Sequence, residues 1–105
     1  MISEAVGNYL KAIYELQREF EKVSTTALAE RLSVSAASVT GMVKKLSEEQ
    51  PQMVNYERHH GVSLSPAGRK IALEVIRHHR LIELYLHQAL GYTWDQVDAE
   101  AEKLE

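Results

Sequence analysis

STTALAERLSVSAASVTGMVKKL, running from Ser24 to Leu46, reads as two short helices joined by a tight turn. Leu28, Ala29 and Leu32 recur at helical spacing and give the first of them an apolar stripe. Ser33, Val34 and Ser35 interrupt that pattern, and Ser35 is a suitable N-cap for the second. On the second helix Ala36, Val39, Met42, Val43 and Leu46 share one side, with Ala37, Ser38, Thr40, Gly41, Lys44 and Lys45 opposite. A solvated outer face is normally filled with Glu, Lys and Gln. Gly41 in a helix interior costs about 1 kcal/mol relative to Ala, so a compensating role is expected. Small residues with lysines at the end suit a DNA major groove. Ser35, Ala37, Ser38 and Thr40 would lie nearest the bases, Gly41 would admit the backbone, and Lys44 and Lys45 would meet phosphates. The stretch is read as a helix-turn-helix; the alternative is a helical hairpin that packs its small residues against another helix.

On the N-terminal side, Ser3 can cap a helix to about Glu21, with Ile2, Val6, Tyr9, Ile13, Leu16 and Phe20 as its stripe and Asn8 well off it. On the C-terminal side, Pro51 predicts that the recognition helix frays near Gln50. Gln52 to Glu57 reads as a short strand, Arg58-His59-His60-Gly61 as a turn and Val62-Ser63-Leu64 as the return strand. A hairpin directly after a recognition helix is the wing of a winged helix. Arg58, His59 and His60 then sit at its tip, placed for phosphate or minor-groove contact, unless they form only an exposed polar turn. Ser65-Pro66 starts a long helix to about Leu90.

On that long helix Ile71, Ala72, Val75, Ile76, Ile82, Leu86, Ala89 and Leu90 occupy one arc, and His79 and Glu83 fall inside it. A Glu on a buried stripe is costly unless it is paired or binds a cation. His and Glu at i, i+4 are neighbours and can share one. Gly91 ends the helix, and Thr93-x-x-Gln96 has the form of a capping box for a fifth. Trp94, Val97, Ala101 and Leu104 make the fifth helix's apolar stripe. Asp98, Glu102 and Glu105 form an acidic ridge beside it. Like charges so placed repel. Either the two clusters share a divalent cation, or they are a hydrogen-bonded His–Glu pair and a solvated acidic face. The expected fold is mostly α with a small β-hairpin: a winged helix-turn-helix over 1–65, then the long helix and the start of a metal-binding and dimerisation region over 66–105.

The 105 residues allow one modest core. Without cysteine there are no disulfides or thiolate metal sites, leaving imidazole and carboxylate as ligands. A net charge of −3 argues at first against nucleic acid. Its distribution answers this: Arg31 to Arg80 holds eight Lys/Arg against four Glu, whereas Leu81 to Glu105 holds six acids against Lys103. No signal peptide or membrane-spanning run is visible, so a cytoplasmic place is expected. No phosphate loop or nucleophile–base arrangement appears, so an enzyme is not expected.

NYLKAIYEL, SAASVTGMVKKL, VSLSPAGRK and RHHRLIELYL, followed by a Glu-rich helix, make the whole chain resemble the DtxR/MntR family of metal-dependent transcriptional repressors. Y-L-x-x-I-Y and H-R-L-x-E carry the specificity; the winged helix alone is generic. The resemblance implies metal ligands at His79, Glu83 and Glu105. Glu102 stands where members have Cys or Glu, the Glu form being that of manganese-type repressors. Asp98 stands where His is frequent, and Asn8 where Met or Asp is usual. The family's next ligand, a His after Glu105, lies beyond the last residue. A helix that halts at Lys103-Leu104-Glu105 without a C-cap is expected to be cut rather than finished. The implied function is repression of metal-homeostasis genes with Mn²⁺, alternatively Fe²⁺, by a protein that is a homodimer when intact and binds a double-stranded DNA operator. The alternative is a metal-independent winged-helix module for protein–protein contact.

Overall fold

A computed structural model describes residues 2–104. In chain order the elements are α1 (Glu4–Leu16), α2 (Thr25–Leu32), α3 (Ala36–Glu48), β1 (Val54–Glu57), β2 (Gly61–Leu64), α4 (Pro66–Leu90) and α5 (Trp94–Leu104). The chain is thus mostly helical with one antiparallel hairpin, as expected. It divides into two compact units, residues 1–72 and 73–105, with the boundary inside α4.

In the first unit, serine side chains start four helices, Ser65 accepting from Gly68 N–H at 3.0 Å at the head of α4. Ser3 accepts from Val6 N–H at 3.2 Å, Ser24 from Ala27 N–H at 3.0 Å and Ser35 from Ser38 N–H at 3.1 Å. Each such cap is worth about 1 kcal/mol. Between α2 and α3, Ser33 takes the left-handed conformation (φ 55°), and Val34 N–H donates to Ala29 O. Leu10 and Ile13 of α1, Leu28 of α2, and Val39, Val43 and Leu46 of α3 are wholly buried with Val54, Val62 and Ala72. Tyr9 is buried with them, which pushes its phenol above the ordinary value. In the hairpin Val54 faces Leu64 and Tyr56 faces Val62. Val62 and Val23 also exchange two backbone hydrogen bonds of 2.8 Å. The wing is therefore pinned to the segment that enters α2.

Several boundaries differ from expectation. α1 ends at Leu16 rather than near Glu21, because Gln17 is drawn into the hairpin: its Oε1 accepts from Leu64 N–H at 3.0 Å and its Nε2 donates to Glu21 O at 2.9 Å. Phe20, expected on the stripe, is 53% exposed. Ala36 is exposed at the first position of α3. β1 starts at Val54, since Met53 spends its N–H on Leu46 O and its carbonyl on Ser65 N–H.

In the second unit Leu86, Val97 and Ala101 are buried, with Ile82 and Tyr92 packed against them. Half of the expected capping box forms: Thr93 N–H donates to Gln96 Oε1 at 3.0 Å, while Gln96 N–H donates to the Thr93 carbonyl and not to its hydroxyl. Trp94 and Leu104, expected in the stripe, are exposed; Trp94 stacks on His87 with ring centroids 3.9 Å apart. Among the described residues no helix is long and apolar enough to cross a membrane.

Two glycines give opposite expectations. A Cβ on Gly68, in the first turn of α4, would fall on the Met53 carbonyl oxygen, whereas one on Gly41 meets nothing within 4 Å. Gly68→Ala should therefore destabilise by more than about 2 kcal/mol, since backbone must move. Gly41→Ala should stabilise by up to about 1 kcal/mol. Urea midpoints of the two variants check the contrast; shifts of the same sign would refute this packing.

Candidate metal centre and nucleic-acid interface

α4 carries His79 and Glu83 one turn apart, and α5 brings Asp98 alongside them. The His79 side chain is 8% exposed, Glu83 partly buried and Asp98 largely open to solvent. His79 Nε2 lies 2.9 Å from Asp98 Oδ1 and 3.6 Å from Glu83 Oε1. One donor atom from each of the three lies within 4.8 Å of the others. A carboxylate only accepts, so Nε2 carries the hydrogen in this geometry. The spacing also fits a shared cation. With metal–donor distances of about 2.1 Å, adjacent donors in an octahedral shell stand about 3 Å apart and opposite ones about 4.2 Å. A divalent ion would take the place of the bridging proton and neutralise both carboxylates. The donor set, one imidazole nitrogen and two carboxylates with no sulfur, suits Mn²⁺ or Fe²⁺.

The other expected ligands are placed differently. Glu102 is exposed on α5 and is not among the converging residues, although it shares the Asp98 ridge. Asn8 is exposed on α1, in the first unit. Glu105 lies outside the described residues.

The other candidate surface belongs to the first unit. Val39, Val43 and Leu46 turn inward with no exposure, so Ala37, Ser38, Thr40, Gly41, Lys44 and Lys45 face solvent. Ser35 Oγ donates to Ser38 Oγ at 2.9 Å, and Lys45 Nζ is 3.8 Å from Glu49 Oε1. Such an exposed pair is weak and salt-screened, which leaves Lys45 open to exchange. Arg58 and His59 sit on the wing turn, with His59 at φ 70°. Sequence reasoning missed Lys22, Thr25 and Tyr56, which line one cavity with Thr40, Lys44 and the wing turn. No local motif marks them; they meet through the Val23–Val62 pairing.

The chain is similar throughout to known repressors. The iron dependent repressor, N-terminal DNA binding domain, matches residues 1–62, and the iron dependent repressor, metal binding and dimerisation domain, matches residues 65–105. The HTH-type transcriptional regulator MntR of Geobacillus kaustophilus is 32% identical over 105 residues, covering 100% of this chain and 72% of that protein. The diphtheria toxin repressor of Corynebacterium jeikeium is 36% identical over 93 residues, covering 89% of this chain and 38% of that protein. A solved structure of a manganese-dependent transcriptional repressor in complex with manganese is 42% identical, with a TM-score of 0.81, covering 94% of this chain and 44% of that one. The chain thus spans less than half the length of the last two.

Mn²⁺ at about a hundredfold excess over its dissociation constant should stabilise the folded chain by about 2.7 kcal/mol if it binds only that form. A thermal melt with and without Mn²⁺ reads the shift. His79→Ala should abolish most of it. Equal shifts in wild type and variant would make His79 a core histidine and leave the cluster without a metal role.

Proposed function

The chain belongs to the iron-dependent repressor family, and from that membership we propose that it acts as a divalent-cation-dependent transcriptional repressor of metal-homeostasis genes. Residues 1–65 serve as the winged helix-turn-helix that binds a duplex DNA operator, and residues 66–105 as the linking helix and metal-binding region. The observation that carries the metal dependence is the buried His79 imidazole facing two carboxylates from different helices. His79, Glu83 and Asp98 hold the ion; Glu102 and Glu105 are further ligands of the intact site. Mn²⁺ is the proposed cofactor and Fe²⁺ the alternative. The bound ion supplies positive charge that joins α4 to α5.

On the DNA side, Ser35, Ala37, Ser38 and Thr40 approach the bases, Gly41 admits the backbone, and Lys44, Lys45, Arg58 and His59 meet phosphates. A homodimer would place two such helices on one operator, as two-fold symmetric readers do. Leu81, Leu84 and Tyr85 support this reading, being exposed on one face of α4 within the region that matches a dimerisation domain. The mechanism is a shift of population: by crossing from α4 to α5, His79, Glu83 and Asp98 favour one arrangement of these helices, and the dimer that fits DNA is selected with it. The proposed setting is the cytoplasm. A metal-independent protein-interaction module is set aside, since the family is one of DNA-binding repressors.

Binding to a labelled duplex, followed by anisotropy over a salt series, tests the reading. Mn²⁺ should strengthen binding at least about tenfold, a coupling of roughly 1.4 kcal/mol. Lys44→Ala should weaken binding to every sequence and lower the salt slope by about one unit. Lys45→Ala should do the same, since its exposed pair with Glu49 is too weak to hold it back. An unchanged slope in both variants, or binding indifferent to metal, would overturn the assignment.

A further inference from the structure

The proposed recognition surface leaves one feature of the first unit unexplained. A cavity of about 670 Å³ opens between the start of α2, the outer face of α3 and the wing turn. Lys22, Lys44 and Arg58 bring three fixed positive charges to its lining, and no carboxylate is among its described lining residues. Ser24 and Thr25 border it at the first residues of α2, where the helix dipole presents its positive end. His59 and His60 complete the wall. Such a site attracts an anion, and the lining offers hydroxyl, ammonium, guanidinium and imidazole donors.

The frame is built in advance. Val23 and Val62 exchange two backbone hydrogen bonds of 2.8 Å, which fixes the wing against the segment bearing Lys22. Gly61 makes that approach possible: at φ +97° its missing Cβ would stand 2.9 Å from Val23 O. His60 N–H donates to Glu57 O at 2.9 Å, and His59 at φ 70° carries the turn across. A non-glycine residue in that region is uncommon, though histidine is among the types that tolerate it. Two adjacent imidazoles thus share one cavity with three cations.

We propose that this cavity receives a backbone phosphate of duplex DNA, and that His59 and His60 take up protons as it enters. The inference rests on the DNA-binding reading above and adds to it a site and a pH dependence. Imidazole is the side chain whose charge changes between about pH 5 and 8. A phosphate diester stays anionic throughout, and an anion at contact distance favours the protonated ring. DNA-bound protein therefore holds more protons than free protein, so affinity rises as pH falls through the imidazole range. The other charged or titratable groups lining the cavity with the two rings are Lys22 before α2, Lys44 on α3, and Tyr56 and Arg58 on the wing. Glu57 is next to Arg58 in the chain, but its side chain does not line the cavity.

The test uses the full chain with Mn²⁺ saturating at every pH, a labelled random-sequence duplex, constant ionic strength and about pH 6 against about pH 8. Wild type should bind at least about tenfold more tightly at the lower pH. The double variant His59→Asn, His60→Gln should hold its affinity within about twofold across the same range; asparagine is chosen because it accepts positive φ. Calorimetry in two buffers of different ionisation enthalpy should find proton uptake on DNA binding by wild type and none by the variant. This also reads wild type directly should the variant fold poorly. Equal pH dependence in both proteins, with DNA still bound, would overturn the inference and leave the DNA-binding reading standing. Absence of DNA binding at either pH in low salt would overturn both. Proton uptake from millimolar dimethyl phosphate, a diester with no proton of its own to exchange in this range, equal to that from DNA would make the cavity a free-anion site and overturn its assignment to the DNA backbone.

Discussion

The backbone pair between Val23 and Val62 ties together parts of the chain on either side of the recognition helix. Everything between them, α2, the turn, α3 and β1, is thereby closed into a loop whose ends meet. Inside that loop Leu28, Val39, Val43, Leu46 and Val54 are wholly buried, each worth about 1.5–3 kcal/mol relative to exposure. The packing leaves α3 no freedom to roll, so its small and basic residues must face out. Gln17 reinforces the closure from the other side by holding Leu64 N–H. A single half-buried side chain thus links the end of α1 to β2.

A different balance governs the second unit. Its core is Leu86, Val97 and Ala101, with Ile82 and Tyr92 partly buried. That much apolar surface contributes only a few kcal/mol to holding α5 against α4. The His79–Asp98 contact joins the same two helices, with Asp98 largely open to water. With one partner in water, such a hydrogen-bonded pair adds only modestly. A cation that gathers His79, Glu83 and Asp98 would add considerably more, because it binds the assembled helices and not the separated ones. A weak apolar contact is what a proposed metal-responsive joint requires: a tightly packed α5 would stay in place with or without the ion.

Much of this was legible in the sequence because local chemistry decides it. Ser24, Ser35 and Thr93 announce their caps, and Pro66 and Gly91 bound α4 at the residues expected. The turn between α2 and α3 follows from Ser33-Val34-Ser35. What was not legible depends on contacts distant along the chain. Nothing near Gln17 says that its amide will be taken by β2, and periodicity alone carries α1 on to about Glu21. Asp98 and Glu102 occupy the same ridge by periodicity, and only the approach of α5 to α4 sets Asp98 beside His79 while leaving Glu102 outside. Trp94 reads as core by hydrophobicity, yet its place at the first position of α5 sets it on the His87 ring instead. The cavity residues Lys22, Thr25 and Tyr56 come from three separate segments.

Gly41 is the residue where local and global reasoning disagree most. It lies in the middle of α3, exposed, with open space where a side chain would go. Neither a close contact nor a positive φ excludes alanine there, so the isolated fold gains nothing in return for the lost helix propensity. Sequences that fold well are consistent across levels, and departures without a structural return gather where something outside the chain must be met. Its neighbours on the face are Ala37, Ser38, Thr40 and Lys44, all exposed. The closest approach α3 can offer to an external partner is therefore backbone-deep at Gly41, flanked by hydroxyls and ended by lysines. A groove with polar base edges at its floor and phosphates along its rim matches that order of groups. A protein surface would instead favour a hydrophobic anchor at the centre, and α3 offers none.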